Sequence, residues 1–190
     1  EPVTSKQAIL AGIAPDGGLY VSDGVLASPL DLEPLWAGDY PSRARRVLGH
    51  LLPDFTEQEV AGCVRRAYGD TFDAPAVTPV TPVGDDWLLE LFHGPTSAFK
   101  DVALQMLPQL MGQARAGDGR DVMIVCATSG DTGKAALAGF ADVEGCGVCV
   151  SDVKCYHGAP MYWGDDVQPA WVEPPVIPGH EFLGRVAKMG

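Results

Sequence analysis

Two segments of this chain constrain its fold most, because each places a strand-like run before a polar, glycine-bearing turn and a helix-like run. The first strand is predicted over residues 87–92, and its helix is predicted to begin near Ser97. The second strand is the continuous apolar run 121–127, which is typical of a strand buried on both faces, and a helix is predicted over 134–141. This alternation predicts an α/β fold with a short, mainly parallel sheet.

The amino-terminal part is predicted to be mainly helical. Helices are expected over residues 5–10, 42–52 and 56–68, with Thr4 or Ser5 and then Thr56 available as caps. A short strand is expected over 19–21, and the proline-rich segment 74–84 is expected to be an extended connector. We therefore divide the chain into an amino-terminal domain (1–84), an α/β part (85–143) and a tail (144–190).

The composition excludes several classes of partner. The net charge of −12 argues against binding to nucleic acid or to anionic membranes, since both need basic patches. No apolar run approaches the roughly 20 residues of a membrane span. The 5 cysteines are odd in number and follow no secretory signal, so they are expected to be thiols or metal ligands in a cytoplasmic protein.

Lys100 falls at the start of the first predicted helix of the α/β part, an unfavourable place for a structural lysine. The positive end of the helix dipole disfavours a cation there. The apolar neighbours Phe99 and Val102 add a desolvation cost. Both effects favour the neutral amine, which is the form that attacks an aldehyde. The alternative is a surface lysine whose stem packs on the helix while its ammonium group reaches water.

The turn 128–133 combines three hydroxyl groups, free backbone N–H groups and the dipole of the next helix. Such a turn suits a carboxylate or a phosphate. The alternative is an ordinary helix cap. Asp131 would repel an anion unless its carboxylate bonds a hydroxyl or a cap amide. Because ligands of parallel sheets bind past the carboxyl ends of the strands, we expect this turn and Lys100 to face one pocket.

Three segments in order resemble threonine synthase, a pyridoxal-phosphate enzyme of the tryptophan-synthase-β fold group. They are residues 6–21, 90–101 and 127–137, and the resemblance covers about 1–143. It implies that Lys100 is catalytic and carries the cofactor, and that Asp131 lies beside the cofactor ring. The substrate-binding residues implied are Thr128, Ser129, Gly130 and Thr132. The family reaction converts O-phosphohomoserine and water to threonine and phosphate, so a phosphorylated amino acid is the expected substrate.

The tail resembles a different family. Its similarity is to zinc-dependent medium-chain alcohol dehydrogenases, over residues 145–152, 156–158 and 175–184. The segment 159–166 is similar to the polyol-oxidising members of that family. Cys149 and His180 offer ligands suited to zinc, and Glu181 would complete or support the set. We expect the tail to be irregular, with a short β segment at 182–187.

The chain therefore reads as two enzyme fragments joined near 143–147. The first reading is a threonine-synthase-like fragment whose active site is incomplete, because the family's phosphate cup and the partner of the pyridine nitrogen follow the junction. A zinc-binding dehydrogenase fragment is the second. A non-functional fusion remnant is the third, since a truncated sheet exposes an unpaired edge and apolar faces.

Overall fold

The computed structural model of this protein describes residues 2–22, 28–117, 121–124, 126, 128, 130–141 and 143–148. The helices in these parts are α1 (Ser5–Ala11), a 3-10 helix (Glu33–Leu35), α2 (Tyr40–Leu51), α3 (Glu57–Tyr68), α4 (Asp101–Leu104), α5 (Leu107–Ala114) and α6 (Asp131–Phe140). The strands are β1 (Val80–Val83), β2 (Asp86–Leu89), β3 (Val122–Ile124) and β4 (Cys146–Val148). No helix in the described parts is long and apolar enough to cross a membrane.

The three predicted amino-terminal helices are confirmed, and side-chain caps explain where they start. Thr4 begins α1 and Thr56 begins α3, each in a reciprocal capping box with the residue three positions later. Asp39 begins α2 by accepting a hydrogen bond from the backbone N–H of Ser42 at 2.8 Å. These capping side chains satisfy backbone N–H groups of the first turn and so favour helix starts at these positions.

The strand predicted over 19–21 is wrong. Leu19 is 80 % and Val21 is 85 % exposed, and residues 19–21 belong to no strand. An isolated extended segment is not stable in water without a neighbouring strand to receive its backbone hydrogen bonds. No such neighbour pairs with it in the part of the chain that the structure describes.

The hydrophobic core is built around one face of α3. Its fully or nearly fully buried members are Val60, Cys63, Val64, Ala67 and Tyr68. Helix α3 packs against α2 on one side and against α5 on the other, where Met106 and Leu110 join the core. The hydroxyl of Tyr68 also donates to the backbone oxygen of Val102 at 2.7 Å. The core therefore holds the α4–α5 segment, which follows Lys100, against the amino-terminal helices.

Strands β1 and β2 form an antiparallel hairpin whose register pairs Val80 with Leu89 and Val83 with Asp86. Gly84 opens its two-residue turn with φ 62°, a left-handed conformation that favours glycine. The expectation of an extended connector over 74–84 is thus corrected at its end, where β1 pairs with the strand that follows it. Pro82 is tolerated in β1 because this strand lies at a sheet edge.

The predicted combination of helices and sheet is confirmed, but the mainly parallel sheet of the α/β prediction is not. The predicted strand at 87–92 is shorter, and its partner is the antiparallel β1. Within the described residues only β3 and β4 pair in parallel, from Val122 opposite Cys146 to Ile124 opposite Val148, in a separate two-stranded sheet. Met123 of β3 is 64 % exposed, so burial on both faces is also wrong, because successive side chains of a strand point to opposite faces. The tail after Val148 lies outside the described residues.

Candidate active site

Lys100 is the N-cap residue of α4, with φ −67° and ψ −18°. The helix therefore begins at Asp101, later than the predicted start near Ser97. Ser97 has φ 56° and its backbone N–H donates to the Gly94 oxygen at 3.0 Å, so this residue belongs to a turn and not to a helix. Lys100 still lies at the amino-terminal end of the helix, as the sequence indicated.

The side chain of Lys100 is half-buried, and its amine lies 4.5 Å from the centroid of the Phe99 ring. A cation above a ring face gains roughly 0.5–1 kcal/mol at an exposed site. No carboxylate of the described residues forms an ion pair with this amine, whereas the amine of Lys6 is held by Glu59 at 2.8 Å. Among the described residues, the Lys100 amine is thus positioned over the Phe99 ring and no carboxylate engages it.

Asp101 fixes the loop that precedes Lys100. Its carboxylate is fully buried and accepts from the backbone N–H of Thr96 at 2.8 Å and from its hydroxyl at 2.7 Å. A longer contact of 3.4 Å comes from the backbone N–H of Ala98. A Cβ on Gly94 would lie 2.8 Å from the carboxyl carbon of Asp101, so the loop can approach this closely only with glycine there.

His93 lies between two carboxylates at the entry to the same loop. Its Nε2 is 2.7 Å from Glu90 and its Nδ1 is 2.6 Å from Asp73. The hydrogen bond with Glu90 and then that with Asp73 raise the pKa of His93. The pKa of Glu90 is lowered by its hydrogen bonds with His93 and with the hydroxyl of Thr81.

Sequence reasoning gave no role to Asp101, His93, Glu90 or Asp73. The first three belong to the segment 90–101 that carries the resemblance, and an acid directly after a helix-capping lysine was an available signal. Asp73 is different. It lies 20 residues before His93 in an irregular segment, so no local pattern links the two.

The turn before α6 is built by Thr128. Its hydroxyl oxygen accepts from the backbone N–H of Gly133 at 2.9 Å and from that of Gly130 at 3.2 Å. Gly130 has φ 136°, a conformation that side chains rarely adopt. Asp131 is exposed, and the structure gives its carboxylate no hydrogen bond within the described residues. The hydroxyl of Thr128 therefore acts as a helix cap, and Ser129 lies outside the described residues.

The helices that follow Lys100 and Thr128 lie side by side. Helix α4 packs against α6, where Gly139 approaches the backbone of Leu104 so closely that a Cβ would lie 2.9 Å from its carbonyl carbon. The strands preceding these helices belong to different sheets, so helix packing and not a shared sheet edge relates the two polar segments. No hydrogen bond or ion pair links Lys100 to Thr128, Gly130, Asp131 or Thr132 in the described parts.

No cluster of histidine, cysteine, aspartate and glutamate suited to a metal occurs among the described residues. Cys63, Cys126 and Cys146 are free thiols. The predicted zinc ligands Cys149, His180 and Glu181 lie outside the described residues.

Comparison with known proteins accounts for most of the chain. The family model described as the threonine synthase N terminus matches residues 1–68. Threonine synthase of Pseudomonas aeruginosa is 40% identical over 147 residues, which are 76% of this chain and 30% of that protein. The crystal structure of pyridoxal-phosphate-bound threonine synthase from Brucella melitensis has 38% identity and a TM-score of 0.70, with 77% of this chain and 32% of that chain covered.

Over its first three quarters, this chain is similar to threonine synthase. It spans about a third or less of the length of these relatives. The alcohol dehydrogenase GroES-like domain model matches residues 140–190. Erythritol/L-threitol dehydrogenase of Mycolicibacterium smegmatis is 62% identical over 47 residues, which are 25% of this chain and 13% of that protein. Both predicted resemblances are therefore confirmed, and they meet near residue 140.

Proposed function

We propose that residues 1–143 act as the lysine-bearing part of a threonine-synthase-type active site, with pyridoxal phosphate joined to Lys100. The main support is the Lys100 amine itself, which no described carboxylate engages and which follows a loop pinned by the buried Asp101. The similarity to a pyridoxal-phosphate-bound threonine synthase supports the cofactor. When bound, this cofactor stabilises carbanion charge on the substrate.

The chain's own residues would take the following parts. Lys100 would hold the cofactor and move protons at its amine nitrogen, and Asp131 would lie beside the cofactor ring. Thr128, Ser129, Gly130 and Thr132 would bind a phosphorylated amino acid. The hydroxyl oxygen of Thr128 already accepts two backbone hydrogen bonds, but its O–H remains a donor for a substrate carboxylate.

Turnover of O-phosphohomoserine by this chain alone is expected to be weak or absent. Binding of the cofactor phosphate and the pyridine nitrogen needs groups that the resemblance assigns beyond residue 143. Without such fixed groups, the charge that develops during the reaction is not stabilised. The division at 84 and 143, and the cytoplasmic location, remain predictions.

Covalent labelling tests the proposal. The chain is incubated with pyridoxal phosphate and reduced with borohydride, and the labelled lysines are identified by peptide mass spectrometry. We expect label at Lys100 in excess of label at Lys134, an exposed lysine on α6. Lys6 serves as a second reference because Glu59 pairs with its amine. Equal labelling of Lys100 and Lys134 would contradict the proposal.

A zinc site in the tail is the second candidate function. The match of residues 140–190 to a GroES-like dehydrogenase domain supports it, and Cys149, His180 and Glu181 are the proposed ligands. The measurement is zinc content after dialysis of the chain and of its Cys149→Ser/His180→Ala variant. Stoichiometric zinc that this variant loses would support the site, and equal zinc in both proteins would exclude it.

A further inference from the structure

We infer that His93 is a positioning residue for Lys100, because it forms a charged bridge between Glu90 and Asp73 that fixes the entry to the loop 94–99. This inference rests on the proposed function of Lys100. No hydrogen bond or ion pair joins His93 to the Lys100 amine in the described parts, so His93 would act only through the loop.

Both ring nitrogens of His93 lie within hydrogen-bond distance of a carboxylate oxygen, an arrangement that favours two N–H donors. A carboxylate oxygen lies 2.7 Å from Nε2 and another lies 2.6 Å from Nδ1. A neutral imidazole carries one N–H, so it can donate to only one of two ionised carboxylates. Both contacts are satisfied together by the imidazolium form, and both are short, as charge-assisted hydrogen bonds are.

The bridge joins two segments that are distant in sequence. Asp73 follows α3, whereas Glu90 follows β2 and donates its backbone N–H to the Pro79 oxygen at 2.9 Å. The backbone N–H of Asp73 also donates to the His93 oxygen at 3.0 Å. His93 therefore links the end of the β1–β2 hairpin to the segment that follows α3 by hydrogen bonds.

The next residue carries this constraint toward Lys100. Gly94 follows His93 directly and lies against the side chain of Asp101, the neighbour of Lys100. Its backbone oxygen accepts the turn hydrogen bond from Ser97. Movement at His93 would therefore displace Gly94 from Asp101 and loosen the hydrogen bonds that order the loop before Lys100.

The bridge has a defined pH range. Glu90, on the hairpin side, and Asp73, on the α3 side, are the charged groups that act on His93 in the described parts, and they raise its pKa above the ordinary 6.5. Because the pKa of His93 is raised in the folded state, its protonated ring stabilises the folded chain fully below pH 6.5. This stabilisation is lost as the pH rises through the raised pKa. Because the pKa of Glu90 is lowered in the folded state, its carboxylate stabilises the folded chain above pH 4.5. This stabilisation is lost as the pH falls through the lowered pKa. The loop should thus be most ordered between 4.5 and 6.5.

Two measurements on the full chain test the bridge without any cofactor. Nitrogen NMR of the imidazole should show both ring nitrogens protonated at about pH 6.5, where half of unperturbed histidine is neutral. Amide exchange of residues 96–100 should be roughly fivefold faster in His93→Gln, with exchange of α3 unchanged. Asp73→Asn should give a smaller increase in the same residues.

Matched substitutions elsewhere in the chain serve as controls. His50→Gln makes the same change at the end of α2, and Asp70→Asn removes an exposed carboxylate three residues from Asp73. Both controls should leave exchange of residues 96–100 at the wild-type rate. Equal exchange in His93→Gln and His50→Gln would overturn the inference, as would a ring with one protonated nitrogen and an ordinary pKa.

The link to Lys100 is measured by the rate of reductive labelling with pyridoxal phosphate. In His93→Gln, the Lys100 rate relative to Lys134 should fall roughly fivefold, in proportion to the loosening of the loop. An unchanged ratio despite faster exchange would overturn the positioning role. If wild-type Lys100 is not labelled selectively, the proposed function fails, while the exchange and NMR results still decide whether the bridge orders the loop.

Discussion

The helical core and the hairpin–lysine region (residues 80–101) are stabilised in opposite ways. In the core, Val60 and Val64 of α3 are 2 % and 1 % exposed, and apolar burial holds the helices together. In the hairpin, Trp87 is 72 % and Leu89 is 53 % exposed, and the neighbouring loop depends on the polar contacts of His93 and Asp101. The comparison indicates that the fold depends on the core, whereas the geometry of the candidate site depends on a few hydrogen bonds.

The largest predicted difference between the two regions is the effect of removing an apolar side chain. Leu110→Ala in the core should lower the free energy of unfolding by about 2–4 kcal/mol, because it removes buried methyl groups and leaves a cavity. Leu88→Ala in the hairpin should change it by less than about 0.5 kcal/mol, since Leu88 is half exposed. Urea unfolding measures both free energies. Similar losses of stability in the two variants would contradict the difference between the core and the hairpin.

Asp101→Ala should destabilise the chain by about 2 kcal/mol. It leaves the backbone N–H of Thr96 without its acceptor and removes a buried charge-assisted network. Asp131→Ala is the matched control, because that carboxylate is exposed and has no described hydrogen bond. Urea unfolding of both variants gives the comparison, and an Asp101 variant as stable as the Asp131 variant would show that the loop does not depend on this network.

Thr56→Ala should cost about 1 kcal/mol, because α3 would lose the side chain that caps its first turn. Thr56→Ser keeps the hydroxyl and should recover most of that loss. Thermal unfolding followed by circular dichroism checks the order of the three proteins. Equal stability of the alanine and serine variants would mean that the capping box contributes little to the core.

The smallest effect is expected at the pair of Lys6 with Glu59. Hydrogen bonds from Lys6 and from Thr56 lower the pKa of Glu59. The Glu59 carboxylate therefore adds to the free energy of unfolding above pH 4.5, and this addition is lost as the pH falls through the lowered pKa. Lys6→Met should cost about 0.5 kcal/mol at neutral pH, the size expected of an ion pair that solvent still partly reaches. Unfolding at neutral and acid pH should show this difference shrink in acid, and a constant difference would exclude the pair as its source.

Local chemistry explains which parts of the fold were predictable. The caps at Thr4 and Thr56 lie within three residues of the groups they bond, so the helix starts could be read from the sequence. Strand pairing is not local. Residues 122–124 form a strand within the predicted run 121–127, but the antiparallel pairing of β2 with β1 and the exposure of Met123 depend on neighbours that periodicity does not identify.

The candidate site also contains residues that local sequence could predict and residues that it could not. Lys100 was identified by its position at a helix start and by the resemblance of the segment around it. Asp73 was missed because only the fold brings it to His93, and Asp101 was missed because its partners depend on the turn at Ser97.

The selectivity of Lys100 for pyridoxal phosphate tests the central claim most directly. Reductive labelling followed by peptide mass spectrometry is performed on the full chain and on Asp101→Asn, which keeps the size of the side chain but weakens the loop contacts. The account predicts that Lys100 is labelled in preference to Lys134 in the wild-type chain and that this preference falls in the variant. A wild-type chain in which Lys100 and Lys134 are labelled equally would contradict it.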